Sequence, residues 1–244
     1  MYNKIPNDQS PMTNWTLCQG APLTYNSVMR NRDYREIAQG SVVHIYNRGN
    51  NRENIFYDEQ DYRAFLFRLG LVLGFEEKEL AEHPLTSVPY SRIRITNLKK
   101  GCFKLHAFCL MKNHFHILIE QCSDTSISKL ILKAFTSYAM YINKKYGRVG
   151  HIFQDQFKSV LMESDPQLMW TSAYIHMNPV KAGLVKHPSQ YKWSSYEDYV
   201  ADRKLPITYT DFLLSTFGNK DDFEKETLSL ASDVSRVPLD TIGR

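Results

Sequence analysis

The chain has 244 residues, 43% hydrophobic and 23% charged, which fits one substantial globular domain with extensions and excludes a low-complexity or fibrous protein. Its formal net charge of +4 permits nucleic-acid binding without establishing it. The cysteines lack Cys-x-x-Cys spacing and the N-terminus lacks a signal pattern, so we expect a reduced, cytoplasmic protein. No apolar run approaches the ~18 residues of a membrane helix, so we expect no membrane contact.

The first part of the chain divides into an arm, a strand and a helix. Residues 1–36 are polar, rich in Asn and interrupted by Pro, which is typical of a poorly ordered arm. Residues 41–48 are β-rich and are followed by turn residues, so they predict a strand. Asp58 or Asp61 can cap a helix over roughly 60–75, whose apolar side chains form one stripe.

Two strands follow a long connection. Residues 76–100 are charged and interrupted by two prolines, and we interpret them as a connection with a short strand at 91–95. Residues 103–111 are strongly apolar and predict a second strand, and 113–120 follow closely enough to be its hairpin partner.

Two histidines of the 113–120 segment share one face, because side chains alternate along a strand. One face carries His114, His116, Leu118 and Glu120, and the other carries Phe115, Ile117 and Ile119. Two imidazoles on a rigid strand can bind one metal ion, and with an oxygen ligand the expected ion is Mg²⁺ or Mn²⁺. Zn²⁺ lacks a third His or Cys at a recognisable spacing. We interpret His44 and His106 as structural, hydrogen-bonded within the sheet.

The second half predicts a helix, a strand and another helix. Ser126 or Ser128 can start a long helix that Gly147 ends, residues 157–163 predict a strand, and Asp165-Pro166 starts the next helix. The order strand, helix, strand, strand, helix, strand is the split pattern of an α+β ferredoxin-like fold, here with an added helix. Past about residue 190 we expect a short helical extension.

Tyr174 and Asn178 lie four residues apart on the added helix, a spacing that places both on one face. Pro179 disfavours helical geometry at Asn178, so we expect the helix to kink or end there. A helix-borne tyrosine beside a metal-binding histidine pair suits phosphodiester cleavage through a covalent tyrosine intermediate. Tyr138 and Tyr141 fit the apolar stripe of the long helix and predict core residues.

The loop 147–158 alternates glycines, cations, aromatic residues and amides. Cations can hold phosphates and aromatic faces can stack on unpaired bases, although composition alone equally fits a solvated loop. The residues that we expect to contact nucleic acid are Arg48, Arg148, His151, Gln154, Phe157, Lys158 and Lys181.

Several segments, in this order, carry a family resemblance over roughly residues 40–200. The segment 111–118, MKNHFHIL, resembles the HUH metal motif of single-tyrosine transposases, and 174–183, YIHMNPVKAG, resembles their tyrosine helix. The NRG at 47–49, the GHIFQ at 150–154 and the WSSY at 193–196 are most similar to REP-associated tyrosine transposases. The long connection and the N-terminal arm depart from that pattern.

The resemblance implies a ferredoxin-like or RRM-like fold with an antiparallel sheet and a single-strand DNA transposase activity. By that resemblance His114, His116 and Asn178 are metal ligands for Mg²⁺ or Mn²⁺, and Tyr174 is the nucleophile. The implied partner is single-stranded or hairpin DNA, cut to leave a 5′-phosphotyrosine and a free 3′-OH.

The expected organisation is an arm over 1–36, an HUH catalytic domain over 37–188 and a C-terminal helical extension over 189–244, acting as a monomer or a homodimer. Two alternatives stay open from the residues alone. A non-catalytic RRM-like nucleic-acid-binding protein would need the basic loop but not the histidines and tyrosine together. A metal-dependent hydrolase would use water and no covalent tyrosine.

Overall fold

The computed structural model describes residues 37–88 and 95–230. The predicted arm over 1–36 and all but the last residue of the predicted strand at 91–95 lie outside the described residues. Within the described segments, no helix has the length and apolar character needed to cross a bilayer.

A four-stranded antiparallel sheet forms the centre of the fold, in the order β2-β3-β1-β4. Its strands are Val42–Arg48 (β1), Phe103–Met111 (β2), His114–Gln121 (β3) and Lys158–Leu161 (β4). The helices of the described segments are Glu59–Val72 (α1), Glu77–Ala81 (α2), Ile127–Tyr146 (α3), Asp165–Lys181 (α4), Tyr196–Val200 (α5), Asp211–Phe217 (α6) and Lys220–Ser229 (α7). The α+β class and the predicted element order are confirmed, and α2 is a short helix inside the predicted connection.

Local capping chemistry fixes where the two sheet-covering helices begin and end. The Asp58 side chain accepts from the Asp61 amide, and the Asp61 carboxylate accepts from the Asp58 amide, so both predicted caps act together as a capping box. Helix α3 ends at Gly147, whose φ of 61° lies in the left-handed region that favours glycine.

The sheet has a hydrophobic core on each face. Helices α1 and α3 cover the first face, where Phe115, Ile117 and Ile119 are fully buried. Helix α4 and the C-terminal helices cover the second face, which His116 and Leu118 share. The predicted division of the β3 side chains between two faces is therefore confirmed, and the histidine face lies under the tyrosine helix.

The expectation that α4 ends or kinks at Asn178 is wrong about its end, because the helix continues through Pro179 to Lys181. A proline this close to a C-terminus removes only one hydrogen bond of the last turns. The Leu184 amide then donates to the Pro179 carbonyl at 2.9 Å, next to Gly183 with a φ of 69°. Because the helix is continuous, Tyr174 and Asn178 keep their shared face.

The segment after residue 189 packs directly on the sheet and on the tyrosine helix. The Leu110 amide donates to the Trp193 carbonyl at 2.9 Å, and the Ser195 amide donates to the Phe108 carbonyl at 3.0 Å. Phe223 of α7 is fully buried and stacks on Tyr199 with ring centroids 4.4 Å apart. This packing holds α4 against the histidine face from its outer side.

Candidate active site

The two histidines of β3 lie side by side at the end of the strand, with ring centroids 5.2 Å apart. His116 is 3% exposed, and His114 is partly exposed. The Nδ1 of His114 lies 2.7 Å from the Asn113 Oδ1, and the Nδ1 of His116 lies 3.0 Å from the Nε2 of His44. Each Nδ1 therefore has a protein partner.

Tyr174 of α4 meets this pair, as the family resemblance implied. Its ring stands edge-on to that of His116 at an interplanar angle of 89°, with centroids 5.4 Å apart. Trp170, one turn earlier on the same helix, stacks almost parallel on Tyr174 at 5.5 Å. Tyr174 is only 1% exposed, so a phosphodiester can reach it only if covering side chains move.

Asn178 lies one turn after Tyr174 and is fully buried. Its Nδ2 donates to the Tyr174 main-chain carbonyl at 2.8 Å, while its Oδ1 has no hydrogen-bond partner of good geometry. The amide is nonetheless close enough to His114 and to the Tyr174 hydroxyl to raise the pKa of the first and lower that of the second. The structure therefore brings together the four residues that the sequence predicted as nucleophile and metal ligands.

Burial keeps the histidines of the site neutral. It lowers the pKa of His114 to about 4, with the nearby Arg48 charge adding to the effect. Burial also lowers the pKa of His116 well below its usual range, and that of His44 to about 3. Neutral imidazoles carry the lone pair that a metal ion requires.

Burial acts in the opposite direction on the tyrosine, because it disfavours the charged phenolate. It raises the pKa of Tyr174 above its usual range, and the Asn178 amide only partly offsets this effect. The phenol is thus protonated at neutral pH, and its attack on a phosphate requires nearby positive charge.

The donor set fits a hard divalent cation of the kind that the sequence predicted. In residues 37–88 and 95–230, no group of three or more His, Cys, Asp or Glu side chains is arranged to hold a metal ion. Two neutral imidazoles and the unpartnered Asn178 oxygen supply three donors, so the remaining positions would be taken by water or phosphate.

Two of the predicted nucleic-acid contacts, Arg48 and Lys181, lie near Tyr174, and a third, Lys158, lies near Arg48. Arg48 faces His114 across the β1–β3 pair and is close enough to lower the pKa values of His114, Tyr174 and Lys158. The Lys181 Nζ lies 5.8 Å from the centroid of the Tyr174 ring. Lys158 of β4 pairs with Tyr46 of β1. Arg48 and Lys181 therefore place positive charge near Tyr174, and Lys158 lies close enough to Arg48 for the two charges to interact.

The loop residues are placed less uniformly. Arg148 is held by an ion pair with Glu53 at 2.8 Å and by the Tyr57 hydroxyl, so its charge is largely neutralised within the protein. His151 and Gln154 are exposed. The main-chain N–H of Gln154 donates to the Arg48 carbonyl at 2.8 Å, which joins the loop to β1.

Phe157, which the sequence predicted to contact DNA, packs partly buried against the core that α1 and α3 form. Glu120, which was predicted to share a strand face with the two histidines, lies four residues beyond His116, or about 13 Å along the strand. It is paired there with His106 at 3.1 Å and with Lys104 at 3.8 Å. Its place in the sheet gives no support for a role at Tyr174.

Sequence reasoning missed His44, Tyr46 and Trp170 as neighbours of the site. His44 was interpreted as structural and does form a hydrogen bond in the sheet, but its partner is His116 itself. Tyr46 pairs with His116 across β1 and β3, and its buried hydroxyl has no hydrogen-bond partner. The signal for Trp170 was its four-residue spacing from Tyr174.

Comparison with known proteins agrees with this geometry. Residues 75–178 match the protein family described as "Transposase IS200 like". This segment of the chain is similar to IS200-like transposases. His114, His116, Tyr174 and Asn178 all lie within this transposase segment, whereas β1 precedes it. The match confirms the resemblance to single-tyrosine transposases and the predicted enzyme class, a transposase.

None of the curated proteins compared with the chain matches it. A solved structure described as a REP-associated tyrosine transposase bound to a REP hairpin aligns with a TM-score of 0.47 and 18% identity. That alignment covers 71% of this chain and 87% of the other one.

Proposed function

We propose that this transposase cleaves and rejoins single-stranded DNA, including short imperfect hairpins, through a covalent bond between Tyr174 and a 5′-phosphate. One observation carries the proposal. The Tyr174 ring stands 5.4 Å from that of His116, and a buried amide oxygen without a hydrogen-bond partner lies one helical turn away, on Asn178. A tyrosine with only a structural role would need neither two adjacent histidines beside it nor a buried oxygen without a hydrogen-bond partner.

In the proposed reaction the Tyr174 oxygen attacks the phosphorus of a phosphodiester. The phenol loses its proton to solvent as the new bond joins its oxygen to the 5′-phosphate. The bond from phosphorus to the 3′ oxygen breaks, and that oxygen takes a proton from solvent to become a 3′-OH. The phosphotyrosine conserves the energy of the broken bond, so rejoining needs no external energy source. Attack by the released 3′-OH, or by a strand held on a second protomer, completes the exchange.

A bound Mg²⁺ or Mn²⁺, held by His114, His116 and Asn178, would stabilise the negative charge that develops on the phosphate. The protein supplies further positive charge itself, because Arg48 is close enough to lower the pKa of the Tyr174 phenol and the Lys181 Nζ lies 5.8 Å from the centroid of the Tyr174 ring. The Arg48 charge lowers the cost of losing the Tyr174 proton, a cost that burial otherwise raises. Arg48, Lys158 and Lys181 would also contact phosphates of the bound strand.

The test is incubation with a labelled single-stranded hairpin in Mg²⁺ or Mn²⁺, followed by a denaturing gel and peptide mapping. The proposal expects a protein–DNA adduct on Tyr174 that disappears in a chelator. Binding without cleavage would instead indicate a non-catalytic nucleic-acid-binding protein. Cleavage without an adduct would indicate a hydrolase that uses water, and either result would overturn the proposal.

A further inference from the structure

His44 and His116 are directly hydrogen-bonded on the covered face of the sheet. The His44 Nε2 lies 3.0 Å from the His116 Nδ1, and the rings stack with centroids 5.1 Å apart. His44 is fully buried and His116 is 3% exposed. Because a buried imidazolium without a counter-charge is costly, both rings are neutral and only one hydrogen can lie between these nitrogens.

That single hydrogen decides whether His116 can bind a metal. If His44 donates it, the proton of His116 must be on its Nε2, and that nitrogen has no lone pair to offer. If His116 donates from Nδ1, its Nε2 is an acceptor and is available as a ligand. His116 can therefore bind a metal through Nε2 only if it, and not His44, donates the hydrogen bond between them.

His114 shows which of these arrangements suits the site. Its Nδ1 lies 2.7 Å from the Asn113 Oδ1, and an amide oxygen only accepts, so the His114 Nδ1 carries the proton and its Nε2 is the acceptor. The two histidines present equivalent nitrogens only if His116 also donates from Nδ1. His44 would then have the same role toward His116 that Asn113 has toward His114.

We infer that His44 is a positioning residue, which accepts a hydrogen bond from the His116 Nδ1 and so fixes the His116 Nε2 as a metal ligand. This inference rests on the proposed metal site of the transposase. It gives β1, which precedes the matched family segment, a defined part in that site. Outer partners of this kind typically change metal affinity by about 10- to 100-fold.

The experiment compares two substitutions at one position with a matched control. His44→Gln retains an acceptor near the original Nε2, whereas His44→Leu removes it. His106→Leu is the control, since His106 is equally buried on β2, which lies on the other side of β3 from β1, and it binds the Tyr209 carbonyl and Glu120 instead. Mn²⁺ affinity is measured by calorimetry, and the His116 tautomer is read from long-range ¹H–¹⁵N spectra of the metal-free chain.

We expect His44→Leu to weaken Mn²⁺ binding by about 10- to 100-fold, with His44→Gln and His106→Leu within a few-fold of the wild type. The wild-type spectrum should show the His116 proton on Nδ1. A proton on Nε2, or equal Mn²⁺ affinity in His44→Leu and the wild type, overturns the inference.

The wild-type spectrum decides the matter even if His44→Leu fails to fold. A wild-type chain that binds no Mn²⁺ would contradict the proposed metal site and not the hydrogen bond. In that case the spectrum still shows which ring donates in the His44–His116 pair.

Discussion

Asn178 donates its side-chain N–H to the main-chain carbonyl of Tyr174 at 2.8 Å, which leaves its buried Oδ1 without a hydrogen-bond partner. An unpaired buried amide oxygen costs about 1–3 kcal/mol, so it indicates a partner that is supplied from outside the chain. A divalent cation between this oxygen and the two histidines would be such a partner.

Replacing Asn178 by Leu tests that role, since Leu has a similar volume but no oxygen. We expect the Mn²⁺ dissociation constant to rise by about tenfold or more, because one of three protein ligands is lost. Thermal unfolding of the metal-free chain should change little. An unchanged Mn²⁺ affinity in calorimetry would remove Asn178 from the ligand set.

His114→Ala and His116→Ala should each abolish hairpin cleavage by removing an imidazole ligand. Hairpin binding should largely persist, because the cations Arg48, Lys158 and Lys181 remain. Gel shifts and cleavage assays on the same preparations separate the two effects. Full cleavage in a chelator, or by the double variant, would contradict a metal-dependent mechanism.

The principal local features of this site could be predicted from sequence periodicity. Strand alternation placed His114 and His116 on one face, and helical spacing placed Tyr174 and Asn178 on another. Their meeting required only that the helix cover the histidine face of the sheet, which the element order and family resemblance implied.

Long-range register could not be predicted in the same way. His44 reaches His116 because β1 pairs with β3 at one register, with Tyr46 opposite His116, and a shift of one residue would turn His44 to the other face. Arg148 is likewise neutralised by Glu53, a residue 95 positions away that no local pattern connects to it. Local sequence patterns therefore predicted a hydrogen bond within the sheet for His44 without its partner, and a DNA contact for Arg148 without its ion pair.

The cations should divide into two groups in DNA-binding measurements. Arg48→Ala and Lys181→Ala should weaken hairpin binding and reduce the salt-dependence slope by about 0.7 each, the value for one phosphate contact on a single strand. Arg148→Ala should have a much smaller effect, because its guanidinium is paired with Glu53 at 2.8 Å. Fluorescence anisotropy over a range of salt concentrations gives these slopes.

Two outcomes of these measurements would contradict the proposed DNA contacts. Equal slopes for Arg148→Ala and Arg48→Ala would show that the Glu53 pair opens on binding. Equal affinity for a blunt duplex and for a hairpin at all salt concentrations would contradict single-strand recognition.

Buried histidines should make the fold sensitive to acid. Burial lowers the pKa of His176 to about 3, and its Nε2 lies 2.8 Å from the Ser195 Oγ. The unfolded chain binds a proton at this residue below pH 6.5 and the folded chain does not, so stability falls as pH decreases from 6.5 toward 3. Each such group contributes a slope of about 1.4 kcal/mol per pH unit. The free energy of unfolding is measured in urea for the wild type and His176→Gln at several pH values. Its slope against pH should be smaller in the variant by about 1.4 kcal/mol per pH unit, the contribution of one group.

Tyr174→Phe should remove cleavage and adduct formation while preserving hairpin binding, because it deletes one oxygen and keeps the ring that packs on Trp170 and His116. Tyr141→Phe is the matched control, since the Tyr141 hydroxyl donates to Asp61 at 3.1 Å and belongs to the helix layer on the opposite face of the sheet. The control should cut at the wild-type rate. Mass spectrometry of the trapped adduct should place the nucleotide on Tyr174, with a free 3′-OH on the released strand. An adduct on another tyrosine, or one that forms in Tyr174→Phe, would show that the nucleophile is misassigned even in a chain with an active transposase domain.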